Sequence, residues 1–287
     1  MTPAITVRGL RKTYGDLAAV DGIDLDIEPG ECFALLGPNG AGKSTTVEIL
    51  EGFRVRDAGE VSVLGTDPAN ADRAWRDRIG IVLQSCAGLD LLTPREALRS
   101  AAKVYRKPRD VEEVIAATGL SEKADDRVAK LSGGQRRRLD VALGILGRPD
   151  LLFLDEPTTG FDPKARRDFW TLIDSLAAEG TTILLTTHYL EEAEALADRV
   201  GVIAAGRLLA LDTPQALGGR ASQEAVVGWE ENGTRHTLTT ATPTAQVSAL
   251  AARLGPEVPG LTIGRPTLED VYLGLIAPHL TVTEENS

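Results

Sequence analysis

Residues 37–45 read Gly-Pro-Asn-Gly-Ala-Gly-Lys-Ser-Thr and follow directly on the apolar run Cys32-Phe-Ala-Leu-Leu36. The spacing Gly37-x₄-Gly42-Lys43-Ser44 requires a strand to deliver the chain and a turn that aims N–H groups inward. It also requires a helix beginning beneath them, from Thr46 onward. Side chains at the glycine positions would hold the backbone away from a phosphate. Lys43 offers a compact positive charge to β- and γ-phosphates, and the Ser44 hydroxyl suits magnesium. Ordinary residue usage produces this pattern in roughly one chain in 100. An ordinary glycine turn is the bland alternative. The segment implies a nucleoside triphosphate site.

Three further apolar runs end in polar residues: Ile79–Leu83 at Gln84, Leu151–Leu154 at Asp155-Glu156, and Thr182–Thr187 at His188. Continuous apolar strands separated by helical stretches predict a mostly parallel sheet covered on both faces. Ligands of such sheets bind beyond the carboxyl ends of the strands, where all four runs deliver a chemically capable group. Asp155 can hold a metal, and Glu156 can accept a proton from an attacking water. Gln84 can orient water and reach the metal, and His188 can sense the γ-phosphate. Alone, the Asp-Glu pair could merely cap a turn before Pro157, and Gln84 could be an ordinary surface residue.

The 287-residue chain has room for one large and one small domain, and its 43% hydrophobic and 25% charged content is that of a soluble globular protein. A net charge of −11 argues against nucleic acid as a partner, and Arg136-Arg-Arg138 is too short to reverse that. Cys32 and Cys86 lie far apart, which suggests no disulfide framework and fits a reducing compartment. Cys32 reads as a small core residue. No secretory signal is expected at the N-terminus, and the best apolar stretch, Val200–Leu211, is interrupted by Gly206-Arg207. Any membrane span is therefore expected from another chain.

Leu131-Ser132-Gly133-Gly134-Gln135 stands twenty residues before Asp155 and opens a helix running to Leu146, with Leu139, Leu143 and Leu146 at helical spacing. Ser132 is a natural N-cap, and the glycines leave N–H groups open at the positive end of the helix. Two anion sites and one carboxylate pair suggest two copies meeting around shared nucleotides.

With these motifs in this order, residues 4–215 resemble the nucleotide-binding subunit of an ATP-binding cassette (ABC) transporter. Gly37, Pro38, Asn39, Gly40, Ala41, Gly42, Lys43, Ser44 and Thr45 match the Walker A loop, Gln84 the glutamine loop, and Leu151–Glu156 the Walker B strand. Leu131–Gln135 match the signature and His188 the switch histidine. Asp162, in Gly160-Phe-Asp-Pro163, matches the loop that crosses the dimer interface, with Phe161 where leucine is more usual. Tyr14 matches the aromatic on which adenine stacks, although a core tyrosine is the alternative.

The resemblance implies an α/β P-loop NTPase fold with a RecA-like sheet in residues 1–215 and a helical subdomain at about 85–149. ATP with Mg2+ would be bound by Lys43 and Ser44 of one subunit and completed by Ser132 and Gly134 of a second, head-to-tail copy. Ser44, Gln84 and Asp155 are the expected metal ligands, and Glu156, Gln84 and His188 the catalytic groups. The helix start at Thr93-Pro-Arg-Glu96 falls in the part expected to meet a separately encoded transmembrane permease. The chain is thus expected at the cytoplasmic side of a membrane.

Residues 216–287 read as a small α+β module: a hairpin through Asn232-Gly233, a helix from Ala245 to Leu254, a strand at Leu261–Ile263, and a final helix capped by Thr267 and running through Ile276. Pro266–Leu273 resembles the C-terminal motif of the drug-resistance and antibiotic exporter branch, though a plain packing helix would look similar. Export of a hydrophobic or antibiotic-like compound is the leading expectation. An importer subunit is the alternative within the family, and a soluble, non-transport ATPase the alternative outside transport.

Overall fold

Alternating apolar and polar residues produce two long antiparallel strands, β1 (Ile5–Tyr14) and β2 (Leu17–Ile27). The computed structural model describes residues 2–82, 88–222, 224–231 and 233–280. Gln84, together with Leu83 and the turn residue Asn232, lies outside them. After β2 comes β3 (Cys32–Leu36), buried at all five positions, and the glycine-rich loop then leads into α1 (Lys43–Leu50). β4 (Ala58–Val63) pairs antiparallel with β1, giving a three-stranded sheet in the order β2-β1-β4.

The sequence reading assigns no strands to this first sheet, and the geometry explains the omission. Gly9 takes a left-handed φ of +57°, and the pairing slips between Val7 and Leu10 and again near Arg11. These bulges break the two-residue alternation on which strand recognition depends. Ile5, Val7, Ile23, Leu25, Ile27 and Val63 nevertheless bury together, against the side chains of α1.

α2 (Arg73–Arg76) leads to β5 (Ile79–Val82). Three helices follow: α3 (Pro94–Ala102), α4 (Val111–Ala117) and α5 (Gly133–Ile145). α3 starts where expected, because the Thr93 hydroxyl accepts from the Glu96 N–H while the Glu96 carboxylate accepts from the Thr93 N–H. β6 (Leu151–Asp155), α6 (Pro163–Ala178), β7 (Thr182–Thr187), α7 (Leu190–Leu196), β8 (Arg199–Ala204) and β9 (Arg207–Asp212) complete this part. Val200–Leu211, the longest apolar stretch, is a pair of strands reversing at Ala205-Gly206.

The main sheet has the order β5-β6-β7-β3-β8-β9, and its first five strands are mutually parallel. The α/β P-loop architecture expected from the sequence is present. Register decides where the chemistry lies: Leu36 sits beside Thr187, and Asp155 beside Thr186. The carboxyl ends of β3, β7 and β6 therefore form one row.

Contacts divide the chain into a unit Met1–Leu211 and a unit Asp212–Ser287. In the second, β10 (Ala225–Glu231) pairs antiparallel with β11 (Thr234–Thr240) on one side and with β12 (Thr262–Gly264) on the other. α8 (Pro243–Leu254) packs on β10, and α9 (Leu268–Leu280) begins at Thr267, whose hydroxyl accepts from the Asp270 N–H. α9 continues past Ile276, four residues beyond the expected end and through Pro278.

Phe153 lies in the middle of β6 with no exposed surface. Replacing Phe153 by Ala is expected to destabilise the first unit by about 3–5 kcal/mol. The loss reads directly as a lowered urea midpoint.

Candidate active site

The phosphate loop is walled by backbone. A Cβ at Gly37 would collide with the Ile203 carbonyl oxygen, and one at Gly42, where φ is +102°, with that of Ala19. Both positions therefore demand glycine. Gly206 N–H donates to the Ala41 carbonyl at 3.0 Å, joining the loop to the β8–β9 turn. The Thr46 hydroxyl, buried in the first turn of α1, donates to the Gly42 carbonyl at 2.9 Å. Pro38 is half-buried, whereas Asn39, Gly40 and Ser44 are exposed on the loop and Thr45 lies between the two. α1 has no side-chain cap, so its first N–H groups stay available to an anion.

The Lys43 side chain folds over the loop, its Nζ donating to the carbonyls of Gly37 at 2.7 Å and Pro38 at 3.1 Å. Burial lowers its pKa, while the charges of Glu156 and Asp155 act in the opposite direction. The ammonium of the loop and the carboxylates of the β6 end thus share one electrostatic site.

Thr186 orders those carboxylates. Its hydroxyl donates to Asp155 Oδ1 at 2.5 Å and accepts from the Glu156 N–H at 3.2 Å, and its carbonyl accepts from the same N–H at 3.0 Å. These bonds hold Glu156 at a φ of +44°, a left-handed conformation that costs a non-glycine residue of order 1–3 kcal/mol. The reversal turns the Glu156 side chain toward the switch segment: Oε1 lies 3.3 Å from His188 Nδ1. Thr159 donates to Oε2 at 3.4 Å. The structure brings Lys43, Asp155, Glu156 and His188 together.

The segment Leu131–Gln135 is built separately. Ser132 caps α5 as expected: its hydroxyl accepts from the Gln135 N–H at 3.2 Å, and its own N–H donates to Gln135 Oε1 at 3.0 Å. Leu139 and Leu146 are buried on this helix and Leu143 half-buried. Among the described residues, no hydrogen bond or ion pair joins Leu131–Gln135 to Gly37–Thr45. Gly133 instead borders a cavity of about 410 Å³ together with Glu156, Thr159, Gly160 and Phe161. Gly134 packs against Ala165 and Phe161: a Cβ there would lie 3.6 Å from the Ala165 side chain. Phe161 is buried with its ring edge-on to Phe169, and Asp162 caps α6 by accepting from the N–H groups of Lys164 and Ala165.

Tyr14 ends β1 with 40% of its surface exposed, which removes the core-tyrosine reading. Lys12 Nζ and the Arg54 guanidinium lie 5.6 and 5.5 Å from its ring centroid, a pairing that polarises an exposed aromatic face.

Three groups near the site escaped the sequence reading. Thr186 is one. A hydroxyl in a fully buried strand needs a partner, which was the available signal. Arg137 is the second: Nε donates to the Pro157 carbonyl at 3.0 Å and Nη2 to the Asp155 carbonyl at 2.5 Å, fastening α5 to the turn that carries Glu156. Its signal was helical spacing, since Arg137, Val141 and Gly144 share the buried face. The third is Glu51, buried at the end of α1, where burial first and then the charges of Asp155 and Glu48 push its carboxyl up to about 8.

The folded protein keeps a Glu51 proton that the unfolded chain releases near 4.5, so the contribution of this group to stability is full below that value and is lost as pH rises toward about 8. Urea midpoints of the nucleotide-free protein should decline across this window. Glu51→Gln should flatten the decline.

Residues 20–159 match the family described as ABC transporter. Over 98% of its length the chain is 37% identical to the daunorubicin resistance ATP-binding protein DrrA3 of Streptomyces coeruleorubidus, covering 98% of that protein. It is 46% identical, over 75% of its length, to the Nod factor export ATP-binding protein I of Rhizobium meliloti (strain 1021), of which it spans 66%, just under two thirds. The fold superimposes with a TM-score of 0.66 at 25% identity on the dimeric, post-hydrolysis structure of the ATP-binding cassette MJ0796 bound to ADP and Pi, covering 73% of this chain and 98% of that one.

Proposed function

The chain is an ATPase that belongs to the ATP-binding subunits of ABC transporters, and we propose that it drives export of a drug-like or otherwise hydrophobic compound through a separate membrane subunit. The observation that carries the reading is the row formed by the ends of β3, β7 and β6, which gathers Lys43, Asp155, Glu156 and His188. Among the described residues, no helix is long and apolar enough to cross a membrane. Export is supported by the similarity to the Nod factor export protein, and the similarity to the daunorubicin resistance protein supports a compound with large apolar surface.

In this reading the loop N–H groups and Lys43 hold the β- and γ-phosphates of ATP, and adenine stacks on the exposed Tyr14 ring. Mg2+ would be held by the Ser44 hydroxyl and Asp155, where it would neutralise charge between the phosphates. The donors fit such an ion. Ser44 is exposed on the loop and Asp155 is half-buried at the β6 end, oxygen donors of the kind that Mg2+ takes alongside water and phosphate oxygens. Gln84 completes this set by resemblance.

Glu156 accepts a proton as water attacks the γ-phosphorus and the bond to the β-phosphate oxygen breaks, yielding ADP and phosphate. His188, 3.3 Å away, orients that carboxylate and reaches the γ-phosphate. Leu131–Gln135 and Asp162 act on the nucleotide of a second copy. Supporting this is the dimeric state of the similar cassette. To shift an open-to-closed ratio from 1:99 to 99:1, ATP must favour the closed pair by about 5.5 kcal/mol. Two bridged triphosphates can supply that. Such a subunit sits against the cytoplasmic face of the membrane, with the second unit as an accessory module.

Glu156→Gln should preserve ATP binding, cut turnover by about 10²–10⁴ and accumulate a nucleotide-bound dimer. Steady-state hydrolysis and light scattering check both outcomes, and turnover at the parental rate would assign the base elsewhere. Ser132→Ala should abolish hydrolysis while the affinity of the isolated monomer for ATP stays unchanged. Equilibrium nucleotide titration measures the latter, and a large loss of monomer affinity would contradict the composite site.

A further inference from the structure

β1 outlasts its partner β4. Their pairing stops at Arg11↔Ala58, whereas β1 runs on to Tyr14 and turns back through Gly15, whose φ is +58°. On that side Lys12, Thr13 and Tyr14 have no partner in β4. A strand N–H left without its ladder bond needs another acceptor. The Asp57 carboxylate supplies it. Oδ2 accepts from the Thr13 N–H at 2.7 Å and from the Thr13 hydroxyl at 2.8 Å, while Oδ1 accepts from Lys12 Nζ at 2.7 Å. The Asp57 N–H in turn donates to the Arg11 carbonyl at 2.9 Å. The Lys12 ammonium, followed by the Thr13 N–H and hydroxyl, holds the Asp57 carboxyl down at about 2.

Tyr14 needs such a hold. Its ring is exposed, and so is Leu17, its partner across the hairpin, so packing alone does not fix the tip. Lys12 Nζ, 5.6 Å from the ring centroid, is the same ammonium that Asp57 binds. The Arg54 guanidinium, 5.5 Å from the centroid, is ion-paired to Glu48 on α1. An exposed ion pair by itself contributes little. Asp57 does more, because one carboxylate closes backbone, hydroxyl and ammonium bonds on the two residues before Tyr14. Charge-assisted bonds of this kind are the stronger ones.

We propose that Asp57 is a positioning residue for the nucleotide base, its carboxylate standing in for the missing strand beside Thr13 and so fixing the Tyr14 ring where adenine stacks. This inference rests on the stacking role given above to Tyr14. Asp57 itself does not touch the nucleotide. It acts through the ring that does.

In the full-length chain, Tyr14→Ala should raise the Kd for Mg·ATP roughly 10- to 100-fold. Asp57→Ala should raise it about 3- to 10-fold, with kcat at saturating ATP within about twofold of the parent. The loss belongs to the ring, so in a Tyr14→Ala background Asp57→Ala should add less than about twofold. Equilibrium nucleotide titration and steady-state hydrolysis read these outcomes. Should Asp57→Ala fail to fold by circular dichroism, Asp57→Asn keeps one acceptor oxygen and loses the ion pair. It should raise the Kd about two- to fivefold, again only where Tyr14 is present. A parental Kd in the folded variant would overturn the inference. So would a loss that persists undiminished without Tyr14, or one that falls mainly on kcat. The control is Tyr14→Ala: if it weakens binding while the Asp57 variant does not, only this inference fails. If Tyr14→Ala binds ATP like the parent, the stacking reading fails and this inference with it.

Discussion

One hydroxyl organises the reactive end of this fold. Thr186 stands beside Asp155 in the parallel register, donates to its carboxylate and accepts from the next backbone N–H. Together with the Thr186 carbonyl, which accepts from the same N–H, and the Arg137 guanidinium on the two flanking carbonyls, these bonds hold Glu156 in its left-handed conformation, with its carboxylate toward His188. Asp155 and Glu156 are adjacent in sequence, yet the one buried hydroxyl binds the carboxylate of the first and the backbone N–H of the second.

The same row of strand ends sets the charge balance. Lys43 is almost fully buried, a position that disfavours an ammonium unless opposite charge lies near. Asp155 and Glu156 supply it across the intervening β7. The Lys43 Nζ meanwhile rests on the Gly37 and Pro38 carbonyls of the loop.

Much of this was legible in the sequence, for identifiable reasons. β3, β6 and β7 are short, largely apolar runs of the kind a sheet buried on both faces needs, β3 leading into the glycine-rich loop and β6 and β7 into Glu156 and His188. Ser132 and Thr93 announced their helices because capping is a local interaction, readable within four residues. What escaped was non-local or irregular. The β1-β2-β4 sheet was hidden by bulges at Gly9 and Arg11, and Thr186 gains meaning only once register places it beside Asp155. Arg137 was masked by its arginine neighbours on either side, although only the middle one turns inward.

That inward arginine has a mechanical corollary. Its guanidinium grips two carbonyl oxygens flanking Glu156 while its backbone lies little more than one turn from Ser132. Rotation or sliding of α5 therefore cannot leave the acidic turn behind. The Ser132-capped start of α5 and the Glu156 turn are geared to one shaft, so that a push on either is felt at both.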